Sequence, residues 1–157
     1  MGGWGNLAVY SKLDEGGLQL STLPAYIRRF CKDVLRQYPL FKQELAALEE
    51  EKKAVAESLP VATWREAASR QAIGDPTSRQ AFRLLRLEER WRQVRFYAQA
   101  VEDLLAYLEE EQRKLVELHF FDGYPPWRVA QELGMSESSF FRYEKEILTL
   151  LAHRLGL

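Results

Sequence analysis

The segment from Ser136 to Lys145, SESSFFRYEK, places hydroxyl, carboxylate, guanidinium and ammonium groups close together in the chain. Such groups form hydrogen bonds with base edges and phosphates when one helix projects them into the major groove of DNA. Ser136 and the first amides of the helix are also suited to bind a phosphate. Arg128, in the preceding helix, is placed for a contact with the DNA backbone. The side chains expected to face DNA are Arg128, Ser136, Glu137, Ser138, Ser139, Phe141, Arg142 and Lys145.

Three short helices are predicted to position this segment. The first, EEQRKLVELHFF, ends before Gly123, which suits a left-handed position after a helix. The second is PPWRVAQEL, in which the small Ala130 permits a close helix crossing. Gly134 turns the chain, and Ser136 caps a third helix from Glu137 to about residue 155. This order predicts a helix-turn-helix, and an ordinary three-helix packing with a glycine turn remains the alternative.

The two adjacent phenylalanines of the third helix are predicted to differ. Phe140 shares the helix face of Tyr143 and Ile147 and should be buried. Phe141 lies about 100° round the helix from it and should be exposed. An exposed phenylalanine can contact a thymine methyl group, or it can be covered by the preceding arm or by a partner chain, and a DNA or partner contact is favoured over a place in the core.

The rest of the chain predicts an all-α protein. Residues 1–22, rich in glycine, are interpreted as a flexible arm, and residues 23–108 as a helical interaction or oligomerisation domain. In that domain a first helix follows Pro24 and ends or kinks at Pro39, and a second covers about 40–57. A short helix near 64–72 precedes a long helix over 77–108. Its predicted apolar stripe is Phe82, Leu85, Trp91, Val94, Ala98, Val101, Leu105 and Leu108. Residues 109–157 form the predicted DNA-binding domain.

Charge argues against strong DNA binding by the C-terminal segment alone. Residues 109–157 contain six basic and nine acidic side chains, a net charge of −3. Non-specific affinity for DNA comes mainly from basic side chains on phosphates, so a dimer, a second basic surface or RNA polymerase should assist. A candidate second surface is the stripe of Arg79, Arg83, Arg86 and Arg90. The alternative is that these arginines pair with the acidic run near 48–51 or are simply solvated.

Other classes of protein find little support. The net charge of −1 indicates no general affinity for polyanions, and the single cysteine excludes an internal disulfide. No signal peptide, membrane span, nucleotide-binding glycine loop or metal-ligand spacing is present, and His119 is expected to pack or cap. We therefore expect a cytoplasmic protein that is not an enzyme and has no catalytic residues, metal or cofactor.

Two parts of the sequence resemble known families. The C-terminal run from EEQRKLVELHFF to LAHRL resembles the region 4 helix-turn-helix of bacterial sigma factors. The segments VLRQYPLFKQELAALEEE, GDPTSRQAFRLL and ERWRQVRFYAQAVEDLL look like the RinA and ArpU transcriptional regulators of phages and prophages. This resemblance covers about residues 26–155. Phe141, at a position often basic or polar there, and Tyr124-Pro125-Pro126 depart from the usual pattern.

The resemblance implies a sequence-specific activator of late phage genes that binds double-stranded DNA and recruits RNA polymerase. A complete sigma factor is less consistent with residues 24–107, which lack the aromatic and basic pattern used to melt promoters. Two alternatives remain. One is a phage small terminase subunit, which would form a stable ring, and the other is a helical adaptor whose helix-turn-helix no longer binds DNA.

Overall fold

The computed structural model describes residues 23–59 and 76–157. Five α-helices follow one another in this part of the chain: α1 (Ala25–Glu57), α2 (Pro76–Tyr107), α3 (Glu110–Val116), α4 (Pro126–Leu133) and α5 (Glu137–Arg154). A π-helical turn, Glu117–Phe121, continues α3. The described residues contain no strand, so the all-α prediction is confirmed. The predicted arm over 1–22 and the predicted short helix near 64–72 lie outside the described residues.

The two long helices form an antiparallel hairpin. Arg83 of α2 pairs with Glu51 of α1, whereas Arg90, further along α2, pairs with the earlier Glu44. Residue numbers decrease along α1 as they increase along α2, so the two helices run antiparallel. Leu45 and Leu48 of α1 are buried, as are Leu84 and Val94 of α2. Apolar stripes on both helices therefore hold the hairpin together.

The chain passes through Pro39 without interrupting α1. Proline has no N–H to donate to the carbonyl of Leu35, which is why the sequence suggested an end or kink followed by a second helix. The prediction of two separate helices is wrong. Leu35, Tyr38 and Phe41 are buried on both sides of the proline, and this continuous packing stabilises one long helix at the cost of one hydrogen bond.

The buried stripe of α2 is displaced at its start from the predicted one. Val94, Ala98, Val101 and Leu108 are buried as expected. The prediction was wrong for two residues, since Phe82 and Leu85 are exposed, and the residues that precede them, Ala81 and Leu84, are buried instead. The buried face at the start of α2 is therefore shifted by one residue from the predicted one.

The C-terminal helices pack on the end of the hairpin near the start of α1 and the end of α2. One cluster of buried residues includes Leu35 of α1, Leu104 of α2 and Ile147 of α5. The Tyr38 and Phe121 rings lie 5.3 Å apart across this junction. A division into two domains at residue 108 stays a prediction. Among the described helices, none is long and apolar enough to span a membrane.

Candidate nucleic-acid interface

The turn between α4 and α5 has the geometry that its sequence predicts. Gly134 adopts a φ of 65°, in the left-handed region, and the amide of Met135 donates to the carbonyl of Ala130 at 2.9 Å. Ser136 then begins α5, and its Oγ accepts a hydrogen bond of 3.1 Å from the amide of Ser139. The turn thus fixes where α5 starts and which of its faces points outwards.

Helix α5 separates into a buried and an exposed face. Phe140 and Ile147 are buried, as predicted, together with Leu148 and Leu151, whereas Tyr143 is only partly buried. The opposite face carries exposed side chains spaced three and four residues apart, and therefore aligned along the helix. These are Ser138, Phe141, Arg142 and Lys145. The structure thus brings four of the predicted DNA-facing residues together near the start of α5.

The predicted difference between the adjacent phenylalanines is confirmed. Phe140 is fully buried, and its ring contacts His119 edge-on with centroids 5.1 Å apart. Phe141 is 50% exposed and touches Phe140 edge-on, with centroids 5.3 Å apart. An apolar ring is therefore presented next to Arg142 on the open side of α5.

A carboxylate on the inner face of α5 was missed by the sequence analysis. Glu144 is buried, and its Oε1 lies 2.8 Å from Nζ of Lys32 on α1 and 3.7 Å from Nε2 of His119. The Nδ1 of His119 lies 2.7 Å from the carbonyl oxygen of Tyr124, which agrees with its predicted packing or capping role. Each ring nitrogen of His119 therefore lies near an oxygen atom. These contacts connect α5 both to α1 and to the loop before α4.

Two opposing effects set the pKa of Glu144. Burial raises the pKa, while hydrogen bonds and positive charge from His119 and Lys32 lower it, and the net result lies below the ordinary value. The carboxylate therefore remains charged in the core at neutral pH, where it ties the exposed face of α5 to the orientation of the hairpin.

The family comparison agrees with this geometry. Residues 98–143 match the family model described as Sigma-70, region 4. The match runs from the last turns of α2 to the first turns of α5, and it includes α4, the turn and the start of α5. Helices α3, α4 and α5 are called the region 4-like module below. A comparison with curated proteins and one with solved structures found no match.

The first helix of the helix-turn-helix also presents exposed side chains. Arg128 places its guanidinium 3.8 Å from the ring centroid of Tyr124. Trp127, 57% exposed, and Gln131 lie beside it along a shallow groove. Sequence analysis proposed Arg128 alone. The spacing of Trp127 and Gln131, opposite the core positions Val129 and Ala130, is the signal that could have identified them.

The remaining predicted positions in the region 4-like module are peripheral to the exposed stripe of α5. Glu137 is exposed in the first turn, where its charge faces the positive end of the helix. Ser136 and Ser139 are joined by a hydrogen bond between their hydroxyls of 3.0 Å. This pairing supports the start of α5, and contact of these side chains with DNA stays a prediction.

The arginine stripe of α2 lies against α1 in part. Arg83 pairs with Glu51, as the alternative of pairing with the acidic run near 48–51 predicted, whereas Arg90 pairs across the hairpin with Glu44, which lies outside that run. The bond from Arg90 Nε to the Glu44 carboxylate is 2.6 Å long, and it raises the pKa of the guanidinium. Phosphate contact by Arg79, Arg83, Arg86 and Arg90 remains a prediction. Among the described residues, no group of acidic, histidine or cysteine side chains has the arrangement of a metal site.

Proposed function

We propose that this protein is a sequence-specific transcriptional regulator that binds double-stranded DNA through the start of α5. The observation that carries the proposal is the exposed row of Ser138, Phe141, Arg142 and Lys145 near the start of α5, in a helix-turn-helix that matches Sigma-70 region 4 up to Tyr143. Hydroxyl and guanidinium groups on a recognition helix select bases by hydrogen bonding. Phe141 adds an apolar surface suited to the methyl group of thymine.

Helix α4 would hold the DNA backbone beside this helix. Arg128 projects from the open side of α4, and its contact with Tyr124 limits the positions of its side chain. Trp127 and Gln131 lie on the same side. Such contacts fix the register of the protein on DNA without selecting sequence.

The charge of the module supports action together with a partner. A net charge of −3 over residues 109–157 provides few phosphate contacts, so the module alone should bind weakly. The partner we propose is RNA polymerase, and the target genes are late genes of a phage or prophage, as the resemblance of residues 26–155 to RinA and ArpU regulators implies. The protein would recruit polymerase rather than open the promoter itself.

Transcription in vitro tests this role. With polymerase holoenzyme and templates from the neighbourhood of the gene, we expect the protein to raise transcript levels from at least one promoter. Arg142→Ala/Lys145→Ala should abolish the increase, because both charges leave the exposed face of α5. The control Lys114→Ala/Arg154→Ala removes the same charge from other exposed positions and should retain it. Promoter opening by core polymerase with this protein alone would contradict the recruitment role.

An adaptor that uses the same fold for protein contacts is the second candidate. The acidic balance of the module and the half-exposed Phe141 favour it. An adaptor would retain its protein partner after the Arg142→Ala/Lys145→Ala change, whereas a DNA-binding regulator would lose its promoter.

A further inference from the structure

Helix α2 has an apolar row on the side opposite its contact with α1. Phe82 and Phe96 are 51% and 52% exposed, and Leu85 is 37% exposed. No element in the described part of the chain covers these three side chains. Large apolar residues aligned on one exposed helix face are typical of a surface that binds another protein.

The three apolar residues belong to a longer row on the same face of α2 that also includes polar residues. Phe82, Leu85, Glu89, Arg92, Phe96 and Gln99 alternate steps of three and four along α2. This spacing keeps one face turned towards a partner helix, as in a coiled coil. The centre of this seam therefore carries one acidic and one basic residue between the apolar Leu85 and Phe96.

The order of the charged residues along the seam favours a second copy of the same chain as the partner, with its α2 antiparallel. In the antiparallel register that places Leu85 opposite the partner's Phe96, Glu89 lies opposite the partner's Arg92. The same register places Phe82 opposite the partner's Gln99, so no like charges meet along the seam. A parallel pair would instead oppose Glu89 to Glu89 and Arg92 to Arg92, which is unfavourable. The sequence of the face is thus complementary to itself in the antiparallel direction.

Residues that flank the seam agree with this register. Glu88 of one copy lies next to the partner's Arg95, and the two-fold axis repeats this ion pair on the other chain. Within the single chain Glu88 lies 3.7 Å from Arg92, and Arg95 lies 3.6 Å from Glu102 and donates a hydrogen bond of 2.6 Å to the side-chain oxygen of Gln99. In the dimer the ion pair between Glu88 and the second copy's Arg95 would replace these contacts within the chain.

We propose that two copies of this chain dimerise through an antiparallel α2–α2 contact centred on Glu89 and Arg92. A two-fold axis crosses the seam between them, so each interaction occurs twice. The dimer does not depend on DNA binding. Where the proposed function holds, the dimer supplies a second helix-turn-helix, which the acidic region 4-like module needs for stronger DNA binding.

A charge exchange in the full-length protein tests the contact. The wild type is expected to form a concentration-dependent dimer in sedimentation equilibrium. Glu89→Arg or Arg92→Glu alone should weaken dimerisation by about tenfold or more, since like charges then meet at two symmetric positions. An equimolar mixture of the two variants should dimerise again, because each chain supplies the charge that the other lacks. Glu50→Arg, an exposed exchange on α1, should leave the wild-type association unchanged.

The proposal is wrong if the wild type stays monomeric at its highest attainable concentration. It is also wrong if the mixture of Glu89→Arg and Arg92→Glu associates no better than either variant alone. A disulfide test fixes the direction of the helices. Leu85→Cys mixed with Phe96→Cys should cross-link under mild oxidation, whereas either variant alone should not. The native Cys31 should not interfere, because it is buried and burial raises the pKa of its thiol to about 11. Cross-linking of Leu85→Cys with itself would contradict the antiparallel register.

Discussion

Replacing Phe140 with alanine is expected to lower the free energy of unfolding by about 3–5 kcal/mol. The Phe140 side chain is fully buried and contacts His119 and Phe141. Alanine would leave a cavity between α5 and the π-helical turn, and the surrounding helices can close it only in part. Urea unfolding followed by far-ultraviolet circular dichroism measures the loss.

The neighbouring Phe141 provides the matched control. The same substitution at Phe141 should cost less than about 1 kcal/mol, because half of the ring already lies in solvent. Phe141→Ala should instead change which DNA sequences are bound, with weaker preference at a thymine. Equal losses of stability in the two variants would show that the assignment of buried and exposed faces on α5 is incorrect.

Replacing Glu144 with glutamine is expected to destabilise the protein by about 2 kcal/mol at pH 7. Glutamine retains the shape of the side chain and removes its charge. Lys32 and His119 then lose the carboxylate that compensates their partial burial. The control Glu50→Gln, on an exposed position of α1, should change stability by less than about 0.5 kcal/mol.

The effect of Glu144→Gln should depend on pH in a defined direction. The pKa of Glu144 is lowered in the folded protein from its ordinary value of 4.5. Its contribution to stability is therefore fully present above about pH 4.5 and is lost as the pH falls through the folded-state pKa. Urea unfolding at pH 7 and at successive values below 4.5 should show the difference between wild type and variant shrinking. A difference that stays constant over this range would contradict the charged network.

The helix-turn-helix could be predicted from sequence because local chemistry determines it. Gly134 is at a left-handed position and Ser136 caps α5, and both effects act within a few residues. The different roles of Phe140 and Phe141 follow from helix periodicity alone. The position of the turn and the exposed face at the start of α5 could therefore be predicted from the sequence alone.

Long-range packing explains what the sequence analysis missed. Pro39 was expected to end or kink a helix, and only the burial on both sides of it explains why α1 continues. Phe82 and Leu85 were placed in the core because of their three- and four-residue spacing, whereas the packing of α2 buries Ala81 and Leu84. Neither effect is encoded in the neighbouring residues.

Glu144 is a residue of the candidate site whose interactions could not be predicted from neighbouring residues. Its place on the face of Phe140 and Ile147 marks it as a charged residue at a buried position. Lys32, which neutralises it, lies on α1 and far away in sequence. Periodicity indicates that such a residue needs a partner, and only the fold identifies that partner.

Binding to DNA by the exposed face of α5 is the central claim, and fluorescence anisotropy tests it most directly. Labelled duplexes from the neighbourhood of the gene would be titrated at two salt concentrations. The wild type, Arg142→Ala/Lys145→Ala and the charge-matched control Lys114→Ala/Arg154→Ala would be compared. We predict sequence-selective, salt-sensitive binding that falls about tenfold or more in the first variant and is retained in the control. No binding at either salt concentration, or equal losses in both variants, would contradict the claim.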